Sequence, residues 1–457
     1  MAAPVPPLPP LEASPVSADT RLAYVLRHFR LAYEVEGGLP SIGYADTQPD
    51  IEVADAAGDF FSGTEPYAPP PAFLVWMGRE LPFFFAPGTT GPLLTLAPGR
   101  AEIHVDVVSA AFYLLSGWQE YYSEERDQHG RFPFAASVQD FFGFVEVPVV
   151  NYYFDVLRRA VEHVTGRPLR PRRWADGAPF ATFVTHDIDN LYSAWKEPAK
   201  AALRRVNAID FLRQVGRRFT HADAWDNLAQ LQQAVAQYGA RSTYFFLGNH
   251  RPSPAGTPNA DYRLRAPAVQ QQIRQLHDLG AEIAIHGSLG TDTHEADLWL
   301  ETEMLPVKPR GNRFHYLRWE PRITPHVVES TGFEYDSTLG FAEHFGFRHS
   351  YCLPFHPFNF EEGEACRFLE IPLNLMDATL HHPRYLQLAP DEILPAIEPM
   401  LQEIERFGGV FTLLWHNENF DPANTVNGPR EFHRIMAYLR SRQTAFLTGR
   451  AICEMVK

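Results

Sequence analysis

The chain has 457 residues, too many for one ordinary core and enough for two domains, one medium and one large. Hydrophobic residues make up 45% and charged ones 21%, with 34 Phe, a composition that excludes an extended disordered chain. The formal net charge of -15 argues against nucleic acid as the main partner, because phosphate binding needs clustered Lys and Arg, and points to a neutral or weakly charged substrate.

Residues 1–18 are rich in Pro and Ala, carry no Lys or Arg, and hold no sustained apolar run that would form a signal-peptide core. They read as a disordered lead-in. No stretch approaches the roughly 18 consecutive apolar residues of a membrane-spanning helix, so the expected location is cytoplasmic. Cys352, Cys366 and Cys453 have neither the spacing of a metal motif nor that of a disulfide framework, and read as reduced thiols.

Residues 19–178 read as a smaller α+β domain with its connector. It opens on an amphipathic segment (Leu22, Val25, Leu26, Phe29, Leu31) and closes on another at 151–163, with short apolar runs broken by Pro and Gly between them. An aromatic helix (Phe112, Tyr113, Trp118, Tyr121, Tyr122) runs into the charged turn at 124–127. Its spacing is that of a core stripe, with a sugar-stacking platform as the alternative. The basic connector RPLRPRRWADGAP at 167–179 marks the boundary, and 179–457 form the larger domain.

Beyond the connector, strands are expected at 180–185, 242–247, 282–286, 313–317, 333–338, 368–372 and 410–416, with a final apolar piece at 444–447. Helices at 225–238, 268–279, 391–407 and 431–442 fall among them. Strand and helix alternation implies parallel strands with right-handed crossovers, hence an open doubly wound sheet or a barrel. In either, chemistry gathers at the carboxyl ends of the strands. The polar clusters sit there: His186, Asp187 and Asp189 after the first strand, His286 after the third, Arg313 and His315 in the fourth, Asp336 at the fifth, and Trp415 and His416 at the last. Buried charges are costly unless paired or metal-bound, so five such ends suggest a metal or acid–base site. Asp187 and Asp189 share a face if the strand runs through them, with helix capping as the alternative role. His186 alternates to the other face.

FVTHDID, STYFFLG, EIAIHGS, RFHYLRW, GFEYDSTLGF and LLWHNE, in this order, resemble the sequential motifs of the polysaccharide deacetylase (NodB-homology) family, in a branch with a divergent second motif. The resemblance covers 179–457. FYLLSGWQEYY, DQHGRF and PVVNYY are similar to the accessory domain that precedes this branch. The resemblance implies a deformed (β/α) barrel of about seven strands and a metal-dependent hydrolase that removes acetyl groups, N-linked first, from a carbohydrate or glycan precursor. It implies that Asp187 is the general base, Arg313 its orienting partner, His416 the general acid, and Asp189 and His286 metal donors. The family's second motif carries two histidines four residues apart, but here Gly290 stands four residues after His286. His315 is the first candidate for the third donor, two residues beyond Arg313 and so on its side of a strand, with His294 second. Three N/O donors with open positions suit zinc best among divalent metals. Asp336, Trp415 and Asp377 are the expected substrate-side residues, with completing the metal site or positioning other groups as the alternatives for Asp336 and capping of the next turn as that for Asp377.

Residues 196–218 carry seven basic side chains (Lys196, Lys200, Arg204, Arg205, Arg213, Arg217, Arg218) among apolar ones. A solvated helix face explains them, and contact with an anionic membrane surface or acidic glycan is the alternative. Two further functional readings are a barrel that binds carbohydrate without turnover, which Gly290 raises, and amide hydrolysis on a small non-sugar molecule.

Overall fold

The computed structural model describes residues 12–456 except 36, 87, 89, 90, 206, 221, 254 and 255. Of the expected lead-in, 1–11 lie outside the described residues, and the chain beyond them is not free. The Ser14 hydroxyl donates to the Phe360 carbonyl at 2.6 Å, and Val16 is buried.

The helix Ala18–Ala32 starts where Ser17 caps it, its hydroxyl accepting from the Thr20 amide. Tyr24, Val25, His28, Phe29 and Ala32 recur at three- and four-residue spacing and form its buried face. Val107–Leu115 is capped by Asp106 and is buried all round, which makes it a central element. Gly117 takes a left-handed φ of 73° and starts the short helix Trp118–Tyr122. Phe112, Tyr113, Trp118 and Tyr122 are all buried, so the aromatic stripe is core. The helix Val149–Thr165, a four-stranded sheet (Ile42–Gly43, Ile51–Val53, Arg100–Ile103, Leu94–Ala97, in that spatial order) and the hairpin Ala72–Trp76/Arg79–Phe83 complete an α+β arrangement.

The rest of the chain is built on one parallel sheet of nine strands: β1 (Ala181–Ile188), β2 (Ser242–Leu247), β3 (Glu282–Gly287), β4 (Gly311–Phe314), β5 (Tyr335–Asp336), β6 (Leu369–Glu370), β7 (Leu375–Met376), β8 (Val410–Leu414) and β9 (Ala445–Phe446). Their order is β6-β5-β4-β3-β2-β1-β8-β7, with β9 also on β1. The sheet curls into a deformed (β/α) barrel. Among the described residues no ladder joins β6 to β7, so it is not closed there. About seven strands and a final apolar piece were expected; that piece forms β9, and the unforeseen β7 brings the total to nine, a two-residue strand being too short to show a repeat.

β1, β2 and β8 are buried along their whole length, as strands covered on both faces are. One face, the barrel interior, carries Phe183, Phe245, Ala284 and Tyr335, and Ile452 and Cys453 of the terminal helix Gly449–Val456 pack on them. The other carries Val184, Tyr244, Phe246 and Ile285 against the helices Leu228–Ala236, Pro267–Asp278 and Pro429–Ser441. The three cysteines are buried, and none forms a disulfide among the described residues.

Ion pairs bridge the α+β part and the barrel. Glu120 meets Arg348 with both side chains buried, Arg126 meets Glu320 at 2.9 Å, and Arg322 meets Glu124 at 3.1 Å. The basic segment forms the helices Lys196–Arg204 and Ala208–Thr220, on which Leu203, Ile209 and Leu212 are exposed. No helix among the described residues is long and apolar enough to cross a membrane.

Candidate metal centre

Pleat and register bring the site together. Residues 185 and 187 of β1 face the interior, and Asp189 follows just past the strand's end. β3 is two places further round the sheet, and its register with β4 (His286 beside Arg313) puts both side chains on that same interior face. The register of β8 with β1 (Leu414 beside Thr185) carries the interior face on to His416.

Asp189, His286 and His315 converge. Asp189 Oδ1 lies 3.5 Å from His286 Nε2 and 3.6 Å from His315 Nδ1, and the two ring nitrogens are 3.1 Å apart. His286 Nδ1 sits 2.7 Å from the Arg313 carbonyl. That oxygen can only accept, so the proton is on Nδ1 and the neutral ring turns a bare Nε2 into the site. The Asp189 oxygen is buried and has no hydrogen-bond partner. A buried carboxylate oxygen left unpaired between two imidazole nitrogens is costly as it stands, and a cation shared by all three relieves it. The donors therefore fit a divalent metal, and together they are the group among the described residues able to hold one. Burial pushes the Asp189 carboxyl up, against the pull of His286 and His416. Burial likewise pushes His286 down and His315 down to about 4, so both rings are neutral and available as donors.

Two pairs flank these donors. Arg313, fully buried, donates from Nη1 to Asp187 Oδ1 and to Thr185 Oγ1, both at 2.9 Å, and from Nε to the Ser337 carbonyl at 2.7 Å. Its guanidinium lies 4.5 Å above the Phe245 ring. Burial resists ionisation of Asp187, yet Arg313, with His286 and His416, outweighs it and holds the carboxyl below its ordinary range. Asp187 Oδ2 is 3.6 Å from His286 Nε2.

On the other side His416 Nδ1 donates to Asp377 Oδ1 at 2.7 Å, and Asp377 Oδ2 accepts from the His416 amide and from Asn419, each at 2.7 Å. His416 Nε2 points inward, 3.9 Å from Asp189 Oδ2. Burial opposes its protonation, but Asp377 prevails and raises its pKa well above the ordinary value. The site thus has a carboxylate kept ionised on one flank and an imidazolium kept protonated on the other.

Three expectations are corrected. Asp336 pairs in register with Asn312, not Arg313, so it lies on the outer face, where it accepts from Asn312 Nδ2 and the Thr338 amide. Trp415 precedes His416 and faces the opposite way, buried against Phe432. Asp377 does not line a groove: it stands behind His416 and orients it. His315 arrives by another route than the expected strand, because β4 ends at Phe314 and the ring comes from the turn His315–Leu317. His294 stays outside the group, its Nδ1 3.0 Å from the Gly290 carbonyl. His186 faces away, bonded through Nδ1 to the Trp415 carbonyl. Sequence reasoning missed Thr185, Ser337 and Asn419, small polar residues whose roles depend on tertiary contacts alone. It also gave no role to Glu418, which burial and the nearby Asp189 raise to about 7.

A family model described as a family of unknown function, DUF7033, matches residues 21–166. No curated protein matches the chain. Among solved structures, a chain described as a polysaccharide deacetylase from Mycobacterium smegmatis is 19% identical with a TM-score of 0.43, covering 64% of this chain and 94% of its own. The Puue allantoinase is 15% identical with a TM-score of 0.42, over 63% of this chain and 93% of its own. A chain described as a polysaccharide deacetylase from Pseudomonas aeruginosa PAO1 is 13% identical with a TM-score of 0.41, over 62% and 92%.

Proposed function

We propose that the chain is a metal-dependent hydrolase removing acetyl groups, N-linked first, from a carbohydrate or glycan precursor. Asp189, His286 and His315 would hold the divalent cation, and an N,N,O donor set with open positions suits zinc. A cation so held polarises an acetyl carbonyl and acidifies water. Asp187 takes the proton of the attacking water, its own acidity fixed by Arg313. His416 gives the Nε2 proton to the departing nitrogen, and Asp377 keeps that proton in place until it is needed. An amine leaves poorly without protonation, which is why a histidine held cationic favours an amide over an ester.

The observation that carries this reading is the unpartnered Asp189 oxygen facing two imidazole nitrogens, with Asp187–Arg313 on one side and His416–Asp377 on the other. Gly290 favours the alternative, a glycan-binding barrel without turnover; His315 in the donor group answers it. The test is release of acetate from N-acetylglucosamine oligomers and aryl acetamides. Turnover that chelator abolishes, zinc restores and Asp187→Asn removes supports the hydrolase. An inert protein that still binds glycan supports the alternative.

A further inference from the structure

The donor His315 owes its place to a backbone conformation that its own sequence disfavours. Tyr316 and Leu317 follow it with φ of 61° and 56°, two consecutive non-glycine residues in the left-handed region. Such a conformation is strained for a residue with a Cβ and persists only when its surroundings enforce it. Leu317 is buried among barrel residues, with Ala342, Leu373 and Leu414, whereas Tyr316 is held from outside the barrel. Arg131 Nη1 donates to the Tyr316 carbonyl at 3.1 Å, and the His129 ring lies flat on the Tyr316 ring, 4.7 Å away with 9° between planes. The Tyr316 ring in turn lies 4.1 Å from that of His315.

Both clamping residues sit in a loop that cannot easily yield. Asp127 Oδ1 accepts from the amides of His129 and Arg131, and Oδ2 accepts from Arg131 Nε and Nη2 at 2.8 and 2.6 Å. Arg131 is only 7% exposed. Arg126 on Glu320 and Arg322 on Glu124 tie the same loop to the chain just beyond the turn. On the loop after β3, position 290 is glycine, Asp292 is engaged by Arg318 at 2.8 Å, and His294 is turned to a backbone carbonyl.

From this we infer that residues 124–131, which lie within the DUF7033 match and before the barrel, are a working part of the metal centre. Arg131 and His129 hold the strained 315–317 turn and so position His315 as third donor. The inference rests on His315 being a metal donor, as proposed above. It assigns the preceding α+β part a task, supplying the positioning that a second histidine after β3 would have made unnecessary. Without the clamp, Tyr316 and Leu317 relax to negative φ and the His315 ring leaves the other two donors.

The test is zinc affinity of the full chain, by competition against a chromophoric chelator, in Arg131→Ala, His129→Ala and His129→Phe, each in wild-type and His315→Ala backgrounds. Second-layer supports of metal ligands are worth about 10–100-fold in affinity, so Arg131→Ala should weaken zinc by that range in the wild-type background and by under about 3-fold once His315 is gone. His129→Phe, which keeps the stack, should stay within about 3-fold of wild type where His129→Ala does not. Equal losses in both backgrounds, or no loss in either, overturn the inference. Should Arg131→Ala not fold, the His129 pair decides alone. A wild-type chain that binds no zinc overturns the proposed function and this inference together; zinc binding without the coupling overturns this inference only.

Discussion

The Glu120–Arg348 pair is the most deeply buried of the ion pairs described between the α+β part and the barrel. Both side chains are buried, 2% and 1% exposed, and the guanidinium meets the carboxylate through two bonds, Nε to Oε1 at 2.8 Å and Nη2 to Oε2 at 2.5 Å. Glu120→Gln removes one charge and leaves the other buried, a change that costs roughly 3–5 kcal/mol, whereas replacing both members by apolar residues costs far less. A chain of 457 residues has an unfolding entropy near 1 kcal/mol per degree at about 2.1 cal/mol/K per residue, so the single variant should lower Tm by about 3–5 °C if the chain melts as one unit. Glu120→Met with Arg348→Met should recover most of that. The assay is calorimetry of the three proteins. Burial opposes ionisation of Glu120 and Arg348 outweighs it, so its folded pKa is below the ordinary 4.5. A depressed carboxylate contributes stability above the unfolded pKa and loses it as pH falls through the folded one. The wild-type advantage over Glu120→Gln should therefore hold at neutral pH and shrink below about 4.5. Glu120→Gln melting within 1 °C of wild type, or the double variant melting below Glu120→Gln, would contradict this role for the pair.

Glu301 shows the opposite sign: burial raises its carboxyl from 4.5 to about 7. Its stability contribution is full below about 4.5 and is lost as pH rises to 7, by roughly 3 kcal/mol in all. Glu301→Gln should therefore stabilise the chain at pH 8 relative to wild type but not at pH 4.5, as read by denaturant midpoints. Asp377→Asn should lower acetamide turnover by about 10²–10³ with zinc content unchanged, measured by steady-state kinetics beside metal analysis. A Cβ at Gly311 would come 2.0 Å from the Tyr335 ring, whose hydroxyl bonds Glu282. Gly311→Ala should destabilise by about 3 kcal/mol or more through overpacking, checked by chemical denaturation.

The barrel was legible wherever strands are long and apolar on both faces. β1, β2, β3 and β8 stand close to where their hydrophobic runs put them, and the terminal clusters at 187–189, 286 and 416 followed from the rule that such strands end in chemistry. β5, β6 and β9 fall inside the expected segments 333–338, 368–372 and 444–447 but are only two residues long, and β7, also of two residues, had no periodicity to show it. Trp415 could have been excluded, since alternation puts it opposite His416. Asp336 could not, because its partner Asn312 is fixed by a register between strands that no local pattern encodes. The Asp377–His416 bond likewise needs β7 laid beside β8. The turn at His315 was the least readable: neither Tyr nor Leu signals a left-handed backbone, and the arginine that holds it lies 185 residues away. Such contacts are written in tertiary structure alone.

The proposed chemistry depends on a cation shared by Asp189, His286 and His315. Anomalous diffraction at the zinc edge from crystals grown with zinc tests it directly. One strong peak per chain is expected, about 2.0–2.2 Å from an Asp189 oxygen, His286 Nε2 and His315 Nδ1. A peak elsewhere, or one ligated without His315, contradicts it.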